Sequence, residues 1–426
     1  MGYNNRALLI GVSLPHIPLW EAENSLEELT RLADAALLIT VEHIIQSRDR
    51  IDSAFFVGKG KVEEIKKQSK KLNADLLIFD NDLSPAQMRN LEDKTEMRIL
   101  DRSALILDIF SRHARTRTAQ VQVELAQLNY LLPRLTRMWT HLSRQAGGGA
   151  IRGMGSAGVR GPGETQLETD RRIIHRQINN LEKKLERINT QMATGRKSRH
   201  GIFSVALVGY TNAGKSTLMR ALSNSDILVE DQLFATLDST TRSVKIGSKN
   251  KILLTDTVGF INRLPHHLFA SFRATLEEAI VADLLLHVVD LSFSNYESQM
   301  RTVDAVLRDL NLEDRPILTV FNKIDRIHSE SEQIIIDAYN KRDNSIAISA
   351  ANKIGLEKLC CKIKEFMDAG FINLNLKIPQ SEGRVLSTLK EKGDIIIEDY
   401  ENNYVIMKLR LEKLVAQKLK LERFSY

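Results

Sequence analysis

Over the first hundred positions, apolar residues fall in short runs separated by stretches with helical spacing. The runs at 7–12, 36–41, 75–79 and 97–100 read as strands. Between them, 25–35, 61–72 and 85–94 carry helical patterns, the last opened by Ser84 and Pro85, a cap followed by a first-turn residue. Strands alternating with helices predict a small, mostly parallel α/β domain over residues 1–110. The glycines of FFVGKGKVEEI fall short of either phosphate-loop pattern, so no second nucleotide site is expected there.

From Thr118 the spacing changes. Val121, Leu125, Leu128, Leu132, Leu135 and Trp139 recur at intervals of four and three, and so do Ile174, Ile178, Leu181, Leu185, Ile188 and Met192. Each set is one seam of a helix with a heptad-like repeat. Two such seams predict an antiparallel helical hairpin over 111–200, with arms of about 30 Å at roughly 1.5 Å per residue. Pro133 should kink or split the first arm. The joining segment, 146–164, is glycine-rich, carries Arg152 and Arg160, and has no acid before Glu164. Such a tip can approach phosphates closely, so Arg152 and Arg160 are the candidate RNA contacts. Residues 201–370 form the next domain. The last unit, 371–426, is a small α+β region with the strand-like segments DIIIEDY and YVIMKLR.

Composition narrows the class. The chain has 426 residues, 43% hydrophobic and 27% charged, ordinary for a globular protein of several domains. No apolar run approaches the ~18 residues of a membrane span, and a cytoplasmic monomer is expected. Cys360 and Cys361 are adjacent on a predicted helix and point in different directions, one inward and one outward. The net charge of +6 is uneven: residues 111–200 hold 17 Lys/Arg against 6 Asp/Glu. A basic segment in an otherwise acidic chain points to a polyanionic partner.

The strongest chemical signal is SVALVGYTNAGKST, an apolar strand entering Gly209-x-x-x-x-Gly214-Lys215-Ser216 before a helix. Glycines let main-chain N–H groups close around phosphates, and the helix terminus adds positive potential. The pattern assigns Gly209, Tyr210, Thr211, Asn212, Ala213, Gly214, Lys215, Ser216 and Thr217 to a phosphate loop. Lys215 reaches the β- and γ-phosphates and Ser216 binds Mg²⁺. The base is chosen by NKID, at the end of the strand PILTVF: Asn322, Lys323, Ile324 and Asp325. The Asp325 carboxylate can accept from N1–H and the 2-amino group of guanine, a pair adenine lacks. Asn322 braces the loop and contacts N7, and the Lys323 stem covers the ring. The backbone of Ser349 and Ala350 can contact guanine O6, and Ala351 completes the expected GTP-binding set.

Two switch elements lie between. LLTDTVGF gives Asp256, Thr257, Val258 and Gly259; Asp256 holds Mg²⁺ through water and the Gly259 N–H senses the γ-phosphate. FATLD gives Phe234, Ala235, Thr236, Leu237 and Asp238, with Thr236 the choice for the second Mg²⁺ ligand and Thr240 and Thr241 as rivals. Lys215, Thr236 and Gly259 form the expected catalytic set. Phe260 stands where many GTPases carry a water-orienting Gln, so intrinsic hydrolysis should be slow.

Together GPGETQLETDRR at 161–172, GYTNAGKST at 209–217, DQLFATLD at 231–238, DTVGFI at 256–261 and NKID at 322–325 resemble the HflX family of translation-factor-class GTPases. FFVGKGK, SPAQ-x-RNLE and LDIFSRHARTRTAQVQVELAQL are similar to that family's amino-terminal region. The resemblance covers nearly the whole chain. It implies an α/β fold with a P-loop GTPase domain after a small α/β domain and hairpin. It further implies binding of the large ribosomal subunit and its rRNA, and action on stalled or heat-damaged ribosomes. By position it gives FATLD the switch I role, with Thr236 on Mg²⁺.

Overall fold

The computed structural model describes residues 5–146, 162–197, 202–223, 239–246, 250–262, 279–327 and 330–425. The first sheet is parallel throughout, in the order β2-β1-β3-β4, from β1 (Arg6–Ser13), β2 (Ile39–Ser47), β3 (Leu76–Phe79) and β4 (Arg98–Asp101). Its central strands β1 and β3 are continuous apolar runs because both faces are covered. Helices α1 (Leu19–Ala35) and α4 (Arg102–His113) lie against one face, and α2 (Lys59–Leu72) and α3 (Pro85–Thr95) against the other.

Two boundaries differ from the sequence reading. Helix α1 starts at Leu19, not 25: it follows Pro18 directly, and Ala22 already continues the buried stripe of Leu26, Leu29 and Ala33, while the exposed Leu19 and Trp20 mask that period in the sequence. Strand β2 starts at Ile39, not 36, since Ala36 caps α1 and Leu37 takes a positive φ of 60° to leave the helix. The opening of α3 is as expected. The Ser84 hydroxyl accepts from the Gln87 N–H at 3.2 Å, and the Gln87 side chain accepts from the Ser84 N–H at 2.9 Å.

Helices α5 (Arg117–Ala146) and α6 (Pro162–Lys197) have 30 and 36 residues, about 45 and 54 Å at ~1.5 Å per residue. The predicted 30 Å was too short, because helix continues beyond the seam at both ends. Val121, Leu125, Leu128 and Leu132 pack with Ile174, Ile178, Leu181 and Leu185 along that seam. Pro133 does not split α5. Leu132 is held against α6, and Arg134 donates to the carbonyls of Tyr130 at 2.9 Å and Leu83 at 3.1 Å, so both sides of the proline are fixed. The predicted tip residues Arg152 and Arg160 lie outside the described residues.

A second stripe on α5, Ala119, Val123, Ala126 and Tyr130, enters the core beneath α1 and α4. The Tyr130 hydroxyl and Arg134 both reach Asp101, at 2.8 and 2.9 Å, and bolt the helix to the first unit.

The second sheet comprises β5 (Ser204–Gly209), β6 (Thr240–Ile246), β7 (Asn250–Asp256), β8 (Leu284–Asp290), β9 (Ile317–Asn322) and β10 (Ser345–Ala347). Its order is β10-β9-β8-β5-β7-β6, with only β6 antiparallel to its neighbour. Around it stand α7 (Lys215–Ser223), α8 (Tyr296–Asp309), α9 (Glu330–Asn340) and α10 (Leu356–Ala369). Cys360 packs inward on α10 and Cys361 is exposed, both as free thiols. A third, antiparallel sheet of β11 (Phe371–Pro379), β12 (Asp394–Glu401) and β13 (Tyr404–Glu412) closes the chain, with α11 (Gly383–Lys392) packed on it. An Arg410–Asp368 ion pair ties it to α10. Among the described residues no helix is long and apolar enough to cross a membrane.

Candidate nucleotide site

Strand β5 lies between β7 and β8, so its carboxyl end opens where the connections diverge to opposite sides. The segment from Gly209 to Ser216 turns there into α7. Gly214 has φ +94°, and a Cβ on it would sit 2.2 Å from the Asn322 Nδ2, so only glycine fits. The Lys215 Nζ folds back over this loop and donates to the carbonyls of Gly209 at 3.1 Å and Tyr210 at 2.8 Å. Burial pushes its ammonium down to about 8, with Asp256 opposing the shift.

The other elements converge on this loop from neighbouring strand ends. The Ser216 hydroxyl donates to Asp256 at 2.6 Å, which places two hard oxygen donors together at the end of β7. Gly259 packs so closely that a Cβ would lie 2.8 Å from the Thr211 Cα and 3.0 Å from the Lys215 Nζ. The buried Phe260 forms a parallel bridge with Tyr210: its N–H donates to Gly209 O at 3.1 Å, and its carbonyl accepts from Thr211 N–H at 2.8 Å. Phe260 thus holds the DTVG segment to the phosphate loop through main-chain bonds. Thr257 donates its hydroxyl to Leu207 O at 2.6 Å, so its side chain points into the sheet.

The residues predicted for the base sit at the ends of β9 and β10. The Asn322 amide bridges the phosphate loop and the Ser349–Ala350 turn. Lys323 takes a φ of 65°, and its Nζ pairs with Asp290 at 2.7 Å. Ile324 and Asp325 follow in a short 3-10 turn, and the buried Ser349 donates its hydroxyl to Asp325. Ala350 is buried and Ala351 exposed.

Other residues expected at the site are placed elsewhere or lie outside the described residues. Phe234, Ala235, Thr236, Leu237 and Asp238 lie outside the described residues. The rivals Thr240 and Thr241 are strand residues of β6, and the Thr241 hydroxyl meets that of Thr255 at 2.9 Å. The Tyr210 and Val258 side chains are buried in one cluster with α1 and α4 of the first unit and with α5 of the hairpin. Sequence reading passed over Asp290, although an acid closing the apolar run LLLHVV was a visible signal. It also passed over Glu28, Asp80 and Arg102, whose burial nothing local announces.

Known families and proteins resemble this chain along most of its length. The family described as GTP-binding GTPase N-terminal matches residues 23–111, that described as GTP-binding GTPase Middle Region 113–199, and that described as 50S ribosome-binding GTPase 204–323. A GTPase HflX of Caldanaerobacter subterraneus is 41% identical over 97% of this chain and 93% of the relative. The GTPase HflX of Escherichia coli is 43% identical over 85% of this chain and 83% of its own. A GTP-binding protein of Sulfolobus solfataricus, solved with GDP, is 25% identical with a TM-score of 0.44, covering 85% of this chain and 98% of that one. With three family models matched in succession and relatives above 40% identity along most of its length, the chain belongs to the HflX family of GTPases.

Proposed function

We propose that this GTPase hydrolyses GTP with Mg²⁺ on the large ribosomal subunit and acts there on stalled or stress-damaged ribosomes, promoting their dissociation and recycling. The observation that carries the ribosomal half is the match of residues 204–323 to a family described as ribosome-binding, in a chain whose adjoining 111–200 segment has 17 Lys/Arg against 6 Asp/Glu.

In this reading the N–H groups between Tyr210 and Ser216 and the Lys215 ammonium surround the phosphates. The hydroxyl–carboxylate pair of Ser216 and Asp256 fits a divalent cation that takes oxygen donors, with Thr236 as its partner from switch I. When bound, Mg²⁺ neutralises charge on the β- and γ-phosphates. The Gly259 N–H reports the γ-phosphate. Asp325, oriented by the Ser349 hydroxyl, accepts from the guanine edge, and Lys323, steadied by Asp290, lays its stem over the ring. Arg152 and Arg160 meet rRNA. Sedimentation with ribosomes in GTP, GDP and a nonhydrolysable analogue tests this. Co-sedimentation with large subunits that depends on nucleotide supports it, and none in any state overturns it.

Phe260 favours a second reading, an RNA-binding scaffold that uses GTP as a conformational ligand with negligible turnover. Its buried ring cannot orient water. Single-turnover hydrolysis with and without large subunits separates the two: stimulated turnover supports the enzyme.

A further inference from the structure

We propose that Tyr210 is a positioning residue for GTP hydrolysis, whose hydroxyl fastens the root of switch II to a buried charged cluster in the first α/β unit. The inference rests on the nucleotide site described above and concerns a group that touches no nucleotide.

Tyr210 divides its atoms between two tasks. Its main chain belongs to the phosphate loop: the carbonyl accepts from Lys215 at 2.8 Å, and the residue bridges to Phe260. Its ring leaves the loop and joins the buried core of the first unit, the cluster that also holds Leu26, Leu29, Leu105 and Ile109. There the hydroxyl donates to the Glu28 carboxylate and accepts from the main-chain N–H of Asn262 at 2.8 Å. Asn262 lies three residues beyond Gly259, and the intervening Ile261 is buried in the same core.

Behind Glu28 the chain of bonds continues without reaching solvent. Arg102 donates to Glu28 at 2.8 Å and to Asp80 at 2.6 Å, and the Ser25 hydroxyl donates to the second Asp80 oxygen at 2.6 Å. Arg102 is 1% exposed, Asp80 3% and Glu28 5%. Each group is held by the next, so the acceptor offered to Tyr210 is fixed by an element outside the GTPase sheet. Burial first, and the Glu28 charge second, raise the Tyr210 phenol well above its ordinary value, so it remains a donor.

The consequence concerns Gly259. Phe260 offers no polar group to orient the attacking water, so in this proposal the main-chain groups around Gly259 carry that alignment. Those groups are held upstream by Asp256 and downstream by Asn262. The Asn262 side chain accepts from Thr302 of α8 at 2.6 Å, while its N–H answers to Tyr210. Removing the hydroxyl takes away the main-chain bond at the downstream end, leaving Asn262 held only through its side chain, and leaves the phosphate cradle intact.

The test uses the full chain. Tyr210→Phe keeps the ring and removes one oxygen; Glu28→Gln keeps the volume and removes the charge. Nucleotide affinity is measured with a fluorescent GDP analogue, folding by thermal unfolding, and chemistry by single-turnover hydrolysis. Tyr210→Phe should bind GDP within about twofold of wild type and hydrolyse GTP about tenfold more slowly, as expected when reacting groups lose alignment. Glu28→Gln should slow hydrolysis in the same sense. The double variant should be no slower than Tyr210→Phe, because both changes cut one link. Hydrolysis by folded Tyr210→Phe at the wild-type rate overturns the proposal. So do rates that multiply in the double variant, and so does a loss confined to stability and affinity. Wild-type protein that binds GTP without any hydrolysis would instead count against the catalytic reading of the site itself.

Discussion

Asn322 joins the phosphate loop to the base loop: its Nδ2 donates to the Ala213 carbonyl at 2.9 Å, and its Oδ1 accepts from the Ala350 N–H at 3.0 Å. Both bonds are buried, and the amide sits where a Cβ on Gly214 would clash. The two halves of the candidate site are thus set relative to each other by one side chain. Asn322→Ala leaves a carbonyl and an N–H buried together without partners, each worth roughly 1–3 kcal/mol. We expect a loss of about 2 kcal/mol or more in stability by denaturant unfolding, and weaker GDP and GTP binding alike.

Asp325 reads the base in the proposed mechanism, with Ser349 fixing its carboxylate. Asp325→Asn exchanges an acceptor for a donor that suits the 2-oxo group of xanthine. GTP affinity should fall by about two orders of magnitude and XTP affinity should rise, measured by competition against a fluorescent nucleotide. The Asn side chain still accepts from Ser349, so the fold should persist. Unchanged GTP affinity would remove Asp325 from the site.

Parts of this were legible in the sequence because they are local. GYTNAGKS names its own loop, since strand, glycine spacing and helix follow within a dozen residues, and NKID closes an apolar strand. The seam of Val121, Leu125, Leu128 and Leu132 was visible as a spacing of four and three. The same helix hid a second stripe, Ala119, Val123, Ala126 and Tyr130, offset by two residues and containing two alanines, too small to stand out. That stripe fixes the hairpin to the first unit. Glu28, Asp80 and Arg102 were illegible for a different reason. Isolated charges in amphipathic segments read as solvated, and only the fold brings residues 74 positions apart within 2.8 Å. Tyr210 lay in plain view inside the phosphate-loop motif, yet its side chain belongs to another core.

Lys215 gives a pH signature. Burial lowers its pKa from 10.5 to about 8 in the nucleotide-free protein. The burden of burying its charge is full below about pH 8 and is relieved as pH rises toward the unfolded value near 10.5. The nucleotide-free protein should therefore gain stability from this group across that window. Phosphates favour the protonated form, so nucleotide binding above pH 8 should take up a proton and weaken up to about tenfold per pH unit. Calorimetry in buffers of different ionisation enthalpy measures the uptake. Lys215→Ala should abolish both the uptake and measurable hydrolysis.

Helices α5 and α6 extend well past their buried seam, and α5 is anchored near its middle by the bonds of Tyr130 and Arg134 to Asp101. Arg152 and Arg160 belong to the glycine-rich segment that joins the two helices in sequence, and in the proposed function they are the rRNA contacts. Each phosphate neutralised contributes a salt slope of roughly −0.7 to −0.9 in log affinity against log salt. Arg152→Ala with Arg160→Ala should therefore weaken ribosome binding and flatten its salt dependence by one to two such contacts. Hydrolysis by the free protein should not change, since no residue of the nucleotide site is altered, while ribosome-stimulated hydrolysis should fall. Deleting 147–158 shortens the reach and leaves the seam of Val121 to Leu132 against Ile174 to Leu185 in place, so it should act in the same direction. Ribosome affinity across a salt series, paired with hydrolysis assays on free protein, measures both. Wild-type binding by both variants at every salt concentration would make the tip a linker, with the contact passing to the exposed Arg171, Arg172, Arg176, Lys183, Lys184 and Arg187 along α6.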